Sequence, residues 1–354
     1  MKKIVAIIFL AALLRINLVV QASPIIRSFA SGVNNQAIAI DRSGNIWTAS
    51  PEQQTVTEVS PAGVILRSFT QLGAPNWKPG KWVGPFSIAA DSAGNIWMTA
   101  VVFTRNENCP FNPFIFGCHQ YIEVNAIRIN PSGTVATFPI LNSFTDEWIP
   151  QVIADNSGRI YISSSSDRLR TGVITQLDTM GITQQMVKVQ SHLYRIALDR
   201  SGNIWGSNTM SDELYGISRS GAVLGPINTH HASTGIAVDQ QGNFWVGGNA
   251  HEIEKISPSG EILVTTPIEN NTGDGPRVIK IDGTGNVWAV NQSNAPNQGS
   301  SVVELNPQGA IVAIYPMAYA TDLAIDQQGN VWVTNALPAG KNLYEIFGAA
   351  AGAR

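Results

Sequence analysis

The sequence predicts an all-β protein, a seven-bladed β-propeller of four-stranded antiparallel blades. Three observations carry this reading. A ten-residue unit, I-A-x-D-x-x-G-N-I-W, recurs seven times along the 354 residues. A second turn, S-P-x-G or a variant, follows each of the first six copies after an alternating apolar run. The segment Pro24–Phe29 repeats a strand that the last copy lacks. Fixed-period self-similarity of this kind marks arrays of supersecondary units that bury their apolar faces only against neighbours.

The copies span 38–47, 88–97, 152–161, 196–205, 236–245, 279–288 and 323–332. Their aspartates are Asp41, Asp91, Asp155, Asp199, Asp239, Asp282 and Asp326, and four of the six intervals are 40 to 44 residues, the length of a propeller blade. Alternating apolar residues ending in Asp predict the first strand, and N-[IV]-W opens the second. Asp at the first turn position with Gly three residues on suits a type I turn with a left-handed glycine, hence a tight hairpin. The second turn closes an outer hairpin at Gly63, Gly133, Gly181, Gly221, Gly260 and Gly309. The seventh unit has strands near 323–326, 330–335 and 342–347 and no fourth. Pro24-Ile25-Ile26-Arg27-Ser28-Phe29 matches Val64-Ile65-Leu66-Arg67-Ser68-Phe69, the fourth strand of the first unit. The N-terminal strand is therefore expected to complete the last blade and leave no open edge. The propeller is placed at 24–347, with an insertion at 100–124 in the second blade and a tail at 348–354.

Composition narrows the class. The chain is 44% hydrophobic and only 13% charged, with a net charge of −3, so it has no basic field suited to nucleic acid. Lys2 and Lys3 followed by the apolar run 4–14, with small residues at Val20 and Ala22, read as a signal peptide over 1–22. The alternative is an uncleaved N-terminal anchor. Cleavage leaves a mature charge of −6 and predicts a secreted or periplasmic protein with no membrane span. Cys109 and Cys118 then suit a local disulfide, with metal ligation as the alternative.

The repeated residues read as scaffold. Each aspartate caps its own turn, and Trp47, Trp97, Tyr161, Trp205, Trp245, Trp288 and Trp332 pack between blades. Length variation falls in two connections, between the second and third strands and between blades, which emerge on the same side of the disc. Long loops on a rigid scaffold are where binding and catalysis concentrate. All five histidines and the three tryptophans outside the motif lie there. Trp77, Trp82, Phe86 and Trp148, with Asp146 and Glu147 nearby, form a candidate aromatic ligand surface; the alternative is a satellite core holding the insertion. His230, His231, His251 and Glu252 form a candidate divalent-metal site, against loop histidines without partners; no other cofactor is indicated. Tyr194 and Arg277 are candidate ligand contacts at the channel mouth. Arg277 would orient an anion there or pair with Asp274.

These repeats resemble the NHL-type and streptogramin lyase (virginiamycin B lyase) seven-bladed propellers. The resemblance lies in A-x-D-x-x-G-N-[IV]-W, the I-x-P-x-G turns and Gly84-Pro85-Phe86-Ser87-Ile88, which is close to that family's G-P-Y-G-I. It covers about 24 to 347. It implies a lyase with a histidine general base in P-H-G-I, a glutamate in W-F-T-E and a bound magnesium. The matching positions here are Gln36, Phe86, Pro150, Tyr194, Thr234, Arg277 and Thr321, and then Ser50, Ala100, Ser164, Asn208, Gly248, Asn291 and Asn335. None is His or Glu. The expectation is a monomeric propeller that binds a small molecule, glycan or protein through its variable loop face. The alternative is a metal-dependent lyase or lactonase-like hydrolase.

Overall fold

A computed structural model describes residues 25–70, 72, 81–82, 84–105, 119–141, 150–166, 170–248, 250–268, 275–292, 300–337 and 340–350. The leader at 1–22, Trp77, Cys109, Cys118, Trp148 and Asp274 lie outside them.

Seven antiparallel sheets make seven blades, numbered here in chain order. The innermost strands are Ala37–Ile40, Pro85–Ala90, Val152–Ala154, Ile196–Leu198, Ser233–Val238, Gly275–Ile281 and Ala320–Ile325. Each touches the next in order and the last touches the first, which closes a ring around a central channel. The aspartate turns form as the motif dictates. In the first, Gly44 N donates to Asp41 O at 3.0 Å and Asp41 N to Asn45 O at 3.0 Å. Side chains stitch neighbouring inner strands together. Val152 N donates to Ser87 Oγ at 3.1 Å, Thr234 Oγ1 to Pro276 O at 3.2 Å, and Ile38 N to Asp322 Oδ2 at 3.2 Å.

The seventh blade closes with the N-terminal strand. Ile25–Phe29 pairs antiparallel with Leu343–Phe347, placing Ile25 opposite Phe347 and Phe29 opposite Leu343. Arg27 adds an ion pair to Glu345 at 3.6 Å and sits 4.7 Å over the Phe347 ring. Phe29 also reaches the next blade: a Cβ on Gly63, in the outer turn of blade 1, would lie 1.9 Å from its ring. Phe138 of blade 2 covers Gly181 of blade 3 in the same way, at 2.3 Å. An aromatic on an outermost strand thus clasps the outer turn of the following blade, a contact that only glycine in that turn permits.

The motif tryptophans are buried between blades, Trp97, Trp245, Trp288 and Trp332 completely. They are also anchored, which the sequence reading did not anticipate. Each indole N–H donates to the aspartate of its own turn, from 2.9 Å for Trp47 and Trp97 to 3.3 Å for Trp245 and Trp288. Cations cover several of these rings: Arg67 lies 5.5 Å from Trp47, Arg128 5.7 Å from Trp97 and Lys255 5.0 Å from Trp245. The rim is more apolar than a polar-coated disc would be. Val64, Ile65, Leu66, Ile182, Val312 and Ile314 are all exposed on outermost strands or their turns.

Blade 2 departs from the plain repeat. Its middle strands, Ile96–Arg105 and His119–Ile129, run on well past the inner strand and pair as far as Arg105 with His119. The two-residue strand Lys81–Trp82 pairs with that extension. The segment expected as an insertion at 100–124 therefore begins and ends as a continuation of the blade's own ladder. At the other end of the chain, Gly348–Ala350 is held by Ala350 N donating to Gly329 O at 2.9 Å.

Candidate functional site

The aspartate hairpins line one mouth of the channel, around a cavity of about 310 Å³ bounded by Asp41, Asp91, Asp155 and Asp326. Their carboxylates are committed to structure. Asp91 Oδ1 accepts from the backbone N–H groups of Ala93 and Asn95, and Oδ2 from Asn95 and Trp97. Turn capping, the role expected of them, occupies both oxygens.

The channel interior holds charges of the opposite balance. Arg195 immediately precedes the inner strand of blade 4, Lys280 lies on that of blade 6 and Asp322 on that of blade 7. Each acts electrostatically on the others, and residues of blades 4 and 7 meet only across the channel. Arg195 donates to Gln151 Oε1 at 3.3 Å from blade 3. Asp322 accepts the backbone N–H groups of Leu323 and Ile38, at 2.9 and 3.2 Å. Lys280 keeps solvent contact while protein surrounds it, a side chain standing in a wetted channel. Burial there lowers its ammonium pKa, Asp322 opposing the effect and Arg195 adding to it. Burial likewise pushes the Asp322 carboxyl up, against the pull of Arg195 and Lys280.

Other predicted contacts disperse. Phe86 packs into the apolar cluster with Trp97 and Val152, as a core residue does. Tyr194 stacks on the buried His192, their centroids 6.5 Å apart. Arg277 donates to Gln292 Oε1 at 3.3 Å. Trp82 lies in its two-residue strand beside the blade 2 extension.

The blade 5 loops converge in part. His231, Glu252 and Glu254 bring one ligating atom each to within 4.8 Å of one another. His230 and His231 occupy the loop between Val223–Asn228 and Ser233–Val238, while both glutamates lie on the third strand, Glu252–Ile256, two residues apart and so on one face. His230 Nδ1 stands 2.7 Å from Glu254 Oε1, off the direction of a hydrogen bond, and its backbone N–H donates to Glu254 Oε2 at 3.3 Å. His251, the third predicted ligand, adopts φ 57° and faces Gly275 instead. Glu254 was missed because it reads as an ordinary strand residue. Its alternation with Glu252, beside two histidines, is the signal that would have found it.

The ring and its loop face define a seven-bladed β-propeller. Solved structures similar to it include virginiamycin B lyase from Staphylococcus aureus, with a TM-score of 0.67 and 13% identity over 91% of this chain and 97% of that one. A structure described as streptogramin B lyase gives a TM-score of 0.66 and 15% identity, over 91% and 96% of the two chains. A protein of unknown function from Bacteroides caccae gives 0.51 and 14%, over 82% and 93%. No protein-family model and no curated protein sequence matches the chain. The shared feature is the fold.

Proposed function

We propose that this propeller is a ligand-binding module that receives a small anion, a carboxylate or phosphate, in its central channel from the loop face. One observation carries the reading: Arg195, Lys280 and Asp322, on or beside the inner strands of blades 4, 6 and 7, lie within electrostatic reach of one another, two cations to one carboxylate, which leaves an excess of positive charge in the channel. Arg277, further toward the loop face on the strand that carries Lys280, supports it as a second guanidinium near the mouth. A lyase or hydrolase activity draws less support. The positions that the resemblance aligns with a lyase histidine and glutamate hold neither residue in this sequence, and a fold shared at 13–15% identity does not carry chemistry with it.

The test is thermal unfolding of the purified protein with citrate, succinate, phosphate and pyrophosphate at constant ionic strength. At least one should raise the midpoint in proportion to its occupancy, and Lys280→Met should abolish the rise. No response to any anion, or an equal response in the variant, would overturn the reading.

A further inference from the structure

We propose that His231, Glu252 and Glu254 bind one divalent cation of the zinc class on the loop face of blade 5. This site is separate from the channel and does not depend on how the channel is read.

The case begins with the tautomer of His231. Its Nδ1 lies 3.2 Å from the carbonyl oxygen of Ala232, and a carbonyl only accepts, so Nδ1 carries the proton. The ring's other nitrogen, Nε2, is then the edge left to face the carboxylates, and a ring protonated on Nδ1 alone presents a lone pair there. That atom is buried and has no hydrogen-bond partner among the described residues. It points between two carboxylates, 3.5 Å from Glu252 Oε1 and 3.8 Å from Glu254 Oε2. Glu254 is completely buried, and its Oε1 has no aligned donor. With Nε2 as a lone pair, three acceptors share one sheltered place, an arrangement that a metal ion among them would stabilise.

The separations suit a metal. Two ligand atoms held at about 2.1 Å from a tetrahedral ion stand about 3.4 Å apart, close to the observed spacings. One imidazole and two carboxylates form a mixed N/O donor set that favours zinc-class ions over calcium, which takes oxygen ligands in larger number. Two negative charges and a neutral ring balance a divalent charge.

The surroundings orient the ligands as metal sites require. The backbone carbonyl of His231 accepts from Thr229 Oγ1 at 2.8 Å and Ser233 Oγ at 3.3 Å, which fixes the loop. Ala232 O, by accepting from Nδ1, sets the ring's direction, a familiar outer-shell role. Residue 248 must be glycine for this to happen: a Cβ there would fall 2.3 Å from Ala232 O and 3.3 Å from His231 Nδ1. The backbone N–H of His230, donating to Glu254 Oε2 at 3.3 Å, holds that carboxylate in place.

The experiment strips the purified full chain with a chelator and titrates it with Co²⁺, following the visible absorption of the bound ion, then with Zn²⁺ by calorimetry. One equivalent of each should bind, and Zn²⁺ should displace Co²⁺. His231→Gln and Glu254→Gln should each weaken binding at least about tenfold, whereas Lys280→Met should leave it unchanged. Glu252→Gln, at a partly exposed position, provides a third variant if the buried Glu254→Gln does not fold, as judged by circular dichroism. Absence of 1:1 uptake, or uptake unaffected in every folded variant, would overturn the proposal. Loss of Zn²⁺ binding in Lys280→Met alone would move the site to the channel and overturn it equally.

Discussion

Trp97 donates its indole N–H to Asp91 Oδ2 at 2.9 Å, while Oδ1 of the same carboxylate accepts the backbone N–H groups of Ala93 and Asn95 at 2.8 and 2.9 Å. One aspartate therefore shapes the turn and fixes the aromatic that packs between blades. Blade 3 carries a weaker version, in which the Tyr161 hydroxyl reaches Asp155 Oδ2 at 3.4 Å.

Asn in place of Asp91 keeps one acceptor for the turn but presents an N–H to the indole N–H, leaving two donors face to face. Asp91→Asn should cost about 2 kcal/mol, the worth of a charged hydrogen bond. Asp155→Asn should cost less than about 1 kcal/mol, because a tyrosine hydroxyl can turn round and accept. Denaturant unfolding measures both, and equal losses would contradict the shared-acceptor account.

The clasp between blades 7 and 1 gives a second test. Gly44 and Gly63 both have φ of +80°, but a Cβ on Gly44 meets nothing nearer than Pro61 at 3.6 Å, whereas one on Gly63 enters the Phe29 ring. Gly44→Ala should cost about 1–2 kcal/mol from backbone strain alone. Gly63→Ala should cost clearly more. In a Phe29→Ala background the excess should vanish, a coupling that a double-mutant cycle on unfolding free energy will read.

Glu304 gives a pH dependence. The residue is 4% exposed, and burial raises its carboxyl pKa from 4.5 to about 7, partly offset by the Tyr315 hydroxyl. The folded state thus binds this proton more tightly than the unfolded chain does. The resulting stabilisation is present in full below pH 4.5, is lost as pH rises, and is gone above about 7. Glu304→Gln should remove this dependence and exceed the parent in stability at pH 8 by an amount on the order of 1–3 kcal/mol. Thermal midpoints of the two proteins at pH 4.5 and pH 8 decide it; a gap that does not widen at pH 8 counts against the assignment.

Lys280, its pKa lowered by burial in the channel, should be neutral more often than a surface lysine. Limited acylation at pH 8, followed by peptide mass mapping, should modify Lys280 ahead of Lys188 and Lys341. Citrate or phosphate should slow that reaction selectively if the channel binds anions. Uniform labelling of the three lysines would remove the premise.

Much of the scaffold was legible because a turn is local chemistry. Asp at one position and Gly three residues later specify a hairpin wherever they occur, so seven copies announced seven blades. Strand closure was equally readable, since Ile25–Phe29 repeats Ile65–Phe69 almost letter for letter. The functional surfaces were harder because they join distant segments. Arg195, Lys280 and Asp322 belong to different blades and meet only when the ring forms. Even so, Lys280 left a trace: it stands two residues before Asp282, where five of the seven copies have alanine. Glu254 left less, because a charge on a strand ordinarily points to solvent and here it is fully buried. The indole-to-aspartate bonds depend on a register of six residues across a hairpin, which pattern alone does not convert into a distance.

The pairing of Ile25–Phe29 with Leu343–Phe347 has a temporal meaning as well. Ile25–Phe29 is made long before its partner and must wait, unpaired, until Leu343–Phe347 follows. A chain cut short before residue 343 lacks the third strand of blade 7 and with it the docking place of Ile25–Phe29. With that strand undocked, Phe29 is no longer held against Trp332 and over Gly63, and blade 1 loses its clasp. Without Leu343–Phe347 the edges of Ile25–Phe29 and Val331–Asn335 would both stand unpaired, and unpaired edges are the ones that join other chains or open locally.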